Sequence, residues 1–284
     1  MKLLLIFCAI VIISAKESKK NETKCEGIHV HNKLHRKEIL GKGLNRPYQL
    51  SYDHSEHRVY FSYNVGKDEE DLFEIGYLVK GHHEHKVMKV IENGFATAID
   101  NKNRVLYVGG EKGVFKKHLK ENSTAEDKLI NKDNIWDIFF KDHLYFITYP
   151  MQKLYKIVPK KEGKAIKEVT ERLEHIHEKI YQFAIDGDHD IFITNDTGLF
   201  SIKNGTDHRI RYDGPTIFRA IEINNKGKAY FSAQNAIFVA NKDNHSLEKI
   251  AHIKNIFGIT FDGDDNIIYS DPHEIVKLLP EGCE

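Results

Sequence analysis

An all-β, six-bladed propeller of four-stranded antiparallel blades is predicted by three observations. A unit of short apolar runs separated by tight turns recurs six times, the copies follow one another at propeller-blade spacing, and the middle runs are apolar throughout. The clearest copy is YQFAIDGDHDIFITNDTGLFSI, from Tyr181 to Ile202. Its runs FAI, IFIT and LFSI are parted by Asp-Gly-Asp-His-Asp and Asn-Asp-Thr-Gly, compositions that tolerate the backbone angles of reversals. Further copies begin at Tyr48, Phe95, Ile135, Arg219 and Ile256. The residue closing the first run of each copy aligns as Asp53, Asp100, Phe140, Asp186, Asn224 and Asp262, at separations of 47, 40, 46, 38 and 38. Between copies stands one further run: KVMKVI, DKLI, IKEV, HRIRY and LEKIAHI. Blades packed radially bury both faces of their middle strands, which accounts for the unbroken apolar runs.

Taken in order, the chain opens with Lys2, an apolar run from Leu3 to Ile13 and the small pair Ser14-Ala15. That pattern predicts a secretory signal peptide over residues 1–15, since a spanning helix needs about twenty apolar residues. Residues 16–284 are then one propeller domain of a secreted protein, with no membrane partner. The 42 basic and 42 acidic residues cancel, and no basic stripe is visible, so no nucleic-acid partner is expected. A monomer without cofactor is expected.

Once Cys8 leaves with the leader, Cys25 and Cys283 remain, and in an oxidising compartment such a pair is expected to be a disulfide. The sixth copy ends after three runs, at Leu278-Leu279, whereas His29 to Leu40 stands before the first copy as an unassigned strand. The N-terminal segment is therefore expected to supply the outer strand of the last blade, with the disulfide in place of the missing hairpin turn. Five Asn-X-Ser/Thr sequons, at Asn21, Asn122, Asn195, Asn204 and Asn244, are glycosylation candidates. Asn122, Asn204 and Asn244 fall between third and fourth runs, on one rim, which leaves the opposite face as the candidate binding face.

On that face the innermost strands begin, and the residues there are Arg46, Tyr48, Phe95, Trp136, Tyr181, Phe218, Arg219 and Phe257, joined by Tyr149 from a second-to-third turn. Asn64, Asn195, Gln234 and Asp271 occupy the corresponding turns of other copies. Aromatic rings with guanidinium groups suit a planar, anionic aromatic molecule; the alternative is that the rings fill the channel as core. No Gly-x-Ser-x-Gly, His-Glu-x-x-His, phosphate loop or Cys-x-x-Cys occurs. A gluconolactonase- or paraoxonase-type hydrolase would need several oxygen ligands for calcium, and only Asp137 and Asp271 stand near the mouth. The pairs His29/His31, His83/His85 and His175/His177 have strand spacing for a metal, but the second lies in a polar connection that reads as a solvated loop. The charge run from Lys67 to Asp71 reads as a solvated turn.

CEG at Cys25 to Gly27, RPYQLSYD at Arg46 to Asp53, VYFSYN at Val59 to Asn64 and the repeated short blades together resemble the insect ommochrome-binding proteins. The resemblance implies a secreted haemolymph carrier of an ommatin, a planar phenoxazinone pigment with acidic and amino-acid substituents, bound without catalysis. It carries no binding-residue motif, so the nine mouth residues rest on propeller geometry alone.

Overall fold

The computed structural model describes residues 27–67, 70–120, 127–163 and 165–281. The leader, Cys25, Cys283, Asn21 and Asn122 lie outside the described residues. Six antiparallel sheets stand around one axis, five of four strands and one of five, and the described residues contain no helix. The inner strands are Tyr48–Asp53, Gly94–Asp100, Ile135–Lys141, Gln182–Ile185, Ala220–Ile223 and Ile259–Phe261. Each touches the inner strands on either side, and the sixth touches the first, so the ring is closed.

The apolar middle runs became second strands buried along nearly their whole length, as in Val105–Gly110 and Ala229–Ala233. The outer strands are exposed and charged, as in Ala165–Arg172, which blunts an edge otherwise open to pairing. Packing between blades is close: Gly187 N–H donates to the Gly227 carbonyl at 2.8 Å, and a Cβ on Gly227 would lie 2.6 Å from the Gly187 Cα.

The aligned acidic and amide residues prove to be turn anchors. Asp186 Oδ1 accepts the N–H groups of Asp188 and Asp190, Asn224 Oδ1 those of Lys226 and Lys228, and Asp262 Oδ1 those of Asp264 and Asn266. Asp53 and Asp100 do the same in their blades. Phe140 breaks the pattern because its hairpin is tighter, with Lys141 paired to His143 across Asp142 at φ 56°. Three of these carboxylates also receive cations: Arg104 from the second blade reaches Asp53 of the first, Lys242 of the fifth reaches Asp186 of the fourth, and Lys277 meets Asp262 within the sixth.

The N-terminal segment closes the ring as expected, by pairing of Lys33–Lys42 with Glu274–Pro280. One detail differs. The segment from His29 to Leu40 is not a single strand: it turns at His31 and Asn32, both in the left-handed region, and Ile28–Val30 adds a fifth strand outside the fourth. His31 N–H then donates to the Ile250 carbonyl at 3.0 Å, tying this hairpin to the fifth blade. The described ends meet successive peptides of one strand: Glu281 N–H donates to the Leu34 carbonyl at 3.1 Å, and Gly27 lies against the His35 carbonyl.

Candidate functional site

The inner strands enclose an axial cavity of about 800 Å³, a size suited to a small organic ligand. All nine residues expected at the mouth line it, so the rings bound an open space. Their placement follows from local backbone irregularities. Phe95 and Trp136 sit at bulges, where one extra residue interrupts the ladder between Gly94 and Ala96 and between Ile135 and Asp137. A third bulge spans Tyr48 to Ser51, with Arg46 and Gln49 at φ 50° and 51°. Bulges re-aim side chains, and non-glycine residues held in the left-handed region concentrate at binding sites. Ser270 Oγ, donating to the Pro47 carbonyl at 2.7 Å, holds the first blade's bulge against the sixth blade.

The rings of four blades and Arg219 of a fifth form a belt. Arg219 lies 4.7 Å over Phe257, which stacks on Tyr48 at 4.7 Å and 23°. Tyr48 meets Phe95 at 5.8 Å, Phe95 meets Trp136 at 6.4 Å, and Trp136 stacks on Tyr149 at 5.8 Å and 21°. The fourth blade closes the belt by hydrogen bonds: Trp136 Nε1–H donates to the Tyr181 carbonyl at 2.8 Å, and Gln182 Nε2 donates to the Phe218 and Arg219 carbonyls. Burial raises the Tyr48 phenol, and the nearby Arg46 and Arg219 guanidinium groups oppose that rise.

Not every expectation at the mouth is met in the same way. Arg46 is paired with Asp71 at 2.5 Å, so the run Lys67 to Asp71 is not merely a solvated turn. Arg219 donates to the Ile256 carbonyl at 3.2 Å, which leaves four of its five donors, and it lines the cavity. Phe218 is 6% exposed and packs mainly on Phe231 in the blade core. Among the turn residues only Tyr149 reaches the cavity; the Asn64, Asn195 and Asp271 side chains accept N–H groups of their own turns, and the Gln234 carbonyl accepts the Ile256 N–H. His85 leaves its solvated loop far enough to meet the Tyr63 ring edge at 4.8 Å.

Gln49 and Gln182, at the starts of their inner strands, line the cavity as well; sequence reading missed Phe73 and Glu222, which also line it. Glu222 had a visible signal, as the one charged residue inside the apolar inner run AIEI. With Asp137 it places two carboxyl groups in the channel, on the third and fifth blades. Burial pushes Asp137 up to about 7, against hydrogen bonds from the Ile138 N–H and the Gln49 side chain. Burial pushes Glu222 up to about 8, against the Ile223 N–H, and the Asp137 charge adds to the rise.

Because both folded values exceed the unfolded ones of about 3.9 and 4.3, the native state binds more protons between them, and stability falls as pH rises through that window. The melting temperature of the ligand-free protein is expected to fall between about pH 5 and 8. In an Asp137→Asn, Glu222→Gln variant the fall is expected to be shallower, and an unchanged slope in differential scanning fluorimetry would contradict it.

The donor set does not gather for calcium, which takes 6 to 8 oxygens. Among the described residues the one cluster of three ligating groups is Asp186, Asp188 and Asp190, outside the cavity. Lys242 Nζ occupies it, 2.7 Å from Asp186 and 2.8 Å from Asp188.

Fold and site together define a six-bladed propeller with an aromatic-walled axial cavity. No family model matches the sequence. The ommochrome-binding protein of Manduca sexta is 30% identical over 256 residues, covering 89% of this chain and 90% of that protein. The chain belongs to the ommochrome-binding protein family. Among solved structures it resembles a gluconolactonase from Xanthomonas campestris, with TM-score 0.63 and 11% identity over 91% of this chain and 96% of that one. It also resembles the calcium-binding protein regucalcin from Agrobacterium tumefaciens, with TM-score 0.60 and 10% identity over 86% and 94% of the two chains. At such identities these likenesses establish the fold alone.

Proposed function

We propose that the chain is a secreted carrier that binds an ommatin-like pigment in the mouth of the propeller channel and releases it unchanged. The observation that carries this reading is the belt of rings from Phe257 to Tyr149 around an open cavity, with Arg219 beside it. A flat ligand stacks on such walls, and a guanidinium fork suits its acid group. The apolar N-terminal segment supports secretion, with Cys25 and Cys283 as a disulfide and exposed Asn204 and Asn244 as glycosylation sites. Asn21, Asn122 and Asn195 complete the candidate set. A calcium-dependent lactonase or esterase is the second reading, favoured by the fold neighbours and by two carboxyls in the channel.

Absorbance titration with an ommatin and its neutral ester tests the first reading. Arg219→Gln is expected to weaken the acid form about tenfold more than the ester, the scale of one charge-assisted hydrogen bond. Equal losses for both would remove Arg219 as the anion contact. Calcium-dependent turnover of a lactone, abolished by chelator, would replace the carrier reading with the hydrolase.

A further inference from the structure

We infer that Asp137 and Glu222 hold a cationic nitrogen of the ligand, an aliphatic ammonium, inside the channel while Arg219 holds an acid group at the mouth. This rests on the pigment-carrier reading and adds to it a polarity: the ligand enters cation first.

Both carboxyls project into the lumen from inner strands of alternate blades. Asp137 is 7% exposed, and its hydrogen bond from the Ile138 N–H, at 3.0 Å, engages only Oδ1. Of the described residues lining the cavity, the only Arg or Lys are Arg46 and Arg219, both at the mouth and both engaged there. The protein thus supplies no cation to the pair. A buried acid without a counter-charge costs stability, which a ligand cation would offset by pairing with it.

The surroundings favour ammonium over a metal ion. Phe139, Phe183, Ile221 and Ile223 line the same cavity. Aromatic faces attract an organic cation, whereas calcium would find the two carboxyls and the Gln49 amide but few further oxygens. Depth also fits. Glu222 stands three residues beyond Arg219, the residue before the inner strand Ala220–Ile223, a span of about 10 Å at strand rise, which matches the length of a three-ring aromatic plate carrying an acid at one end and an amine at the other.

The remaining charged or titrating groups on the cavity are Arg46, Asp71, Glu111 and Arg219 at the mouth and Tyr52 and His54 at the far end. The phenols of Tyr48, Tyr149 and Tyr181 complete the mouth. Burial lowers His54 and raises Tyr52 to about 12, so neither brings a cation or an anion to the pair near neutral pH. An arriving ammonium favours the ionised carboxyls, so binding releases protons and strengthens as pH rises.

The test uses the full mature chain and three forms of one ommatin: the free amine, the N,N-dimethylamine, which keeps the charge, and the N-acetyl derivative, which loses it. Wild-type protein is expected to bind the acetyl form at least tenfold more weakly than the amine, with the dimethyl form close to the amine. Amine affinity is expected to rise from pH 6 to 8.5, with protons released into the buffer by calorimetry, while acetyl affinity stays flat. Asp137→Asn with Glu222→Gln is expected to bring the amine and acetyl forms to one affinity. Equal binding of amine and acetyl forms by wild-type protein would overturn the inference and leave the carrier reading intact. Failure of all three forms to bind would overturn the carrier reading, and the inference with it. Calcium binding without pigment, lost in the double variant, would overturn the inference in favour of a metal site.

Discussion

Trp136→Ala is expected to weaken ommatin binding by about 1 to 3 kcal/mol, or roughly 5- to 150-fold, with little loss of fold. Three features make Trp136 the ring with most to lose. It sits at a bulge, so its indole faces the mouth instead of joining the alternation of its strand. Its Nε1–H is held by the Tyr181 carbonyl at 2.8 Å, so the plane of the ring is fixed before any ligand arrives. It is also the joint between Phe95 and Tyr149, at 6.4 and 5.8 Å, so truncation opens the belt between the second and third blades. A wall that is already ordered loses little entropy on binding. Tyr181→Ala is expected to act in the same direction. The control is Tyr155→Ala: that ring stacks on Phe146 at 5.5 Å and 14°, away from the cavity, and its loss is expected to lower stability while leaving affinity unchanged. Isothermal titration beside thermal melts separates the two effects.

Arg104→Met is expected to destabilise the protein by about 3 to 5 kcal/mol. The Asp53 side chain is fully buried and that of Arg104 is 11% exposed, and the same guanidinium reaches Glu56 at 2.7 Å. Removing the cation leaves Asp53 buried with no counter-charge, and its Oδ2 already has no hydrogen-bond partner. The interaction also joins the first two blades, so the loss falls on ring closure as well as on one turn. A drop of roughly 10 °C in melting temperature corresponds to that range. Adding Asp53→Asn is expected to recover part of it, because the orphaned charge is then gone. A melting temperature within about 1 °C of wild type would mean the pair is screened as a surface pair is.

The architecture was legible because propeller blades repeat: six copies of one pattern leave few arrangements, and the aligned Asp53, Asp100, Asp186, Asn224 and Asp262 marked the inner hairpins before their turn hydrogen bonds were seen. The extra N-terminal strand was not legible, because Ile28–Val30 is too short to carry a period and its turn uses His31 and Asn32 without glycine. At the mouth, position at the inner-strand starts and on one turn named most of the lining residues, but not Phe73. It was not enough to divide their tasks. That Arg46 would be taken by Asp71 depends on a loop folding back across 25 residues, and that Phe218 would turn into the blade core depends on Phe231 from its own second strand. Glu222 stands beyond the strand starts, where the channel continues inward past Ala220 and Ile221, so position at a strand start does not name it.

Fluorescence of Trp136, the single tryptophan of the chain, reports on whether pigment enters the mouth. Titrating the purified protein with an ommatin, with emission corrected for pigment absorbance, is expected to quench Trp136 almost completely and to saturate at one pigment per chain. The Arg219→Gln variant is expected to reach the same endpoint at higher pigment concentration. Pigment retained by the protein in equilibrium dialysis while Trp136 emission stays unchanged would place the binding site elsewhere and contradict a carrier built around the aromatic belt.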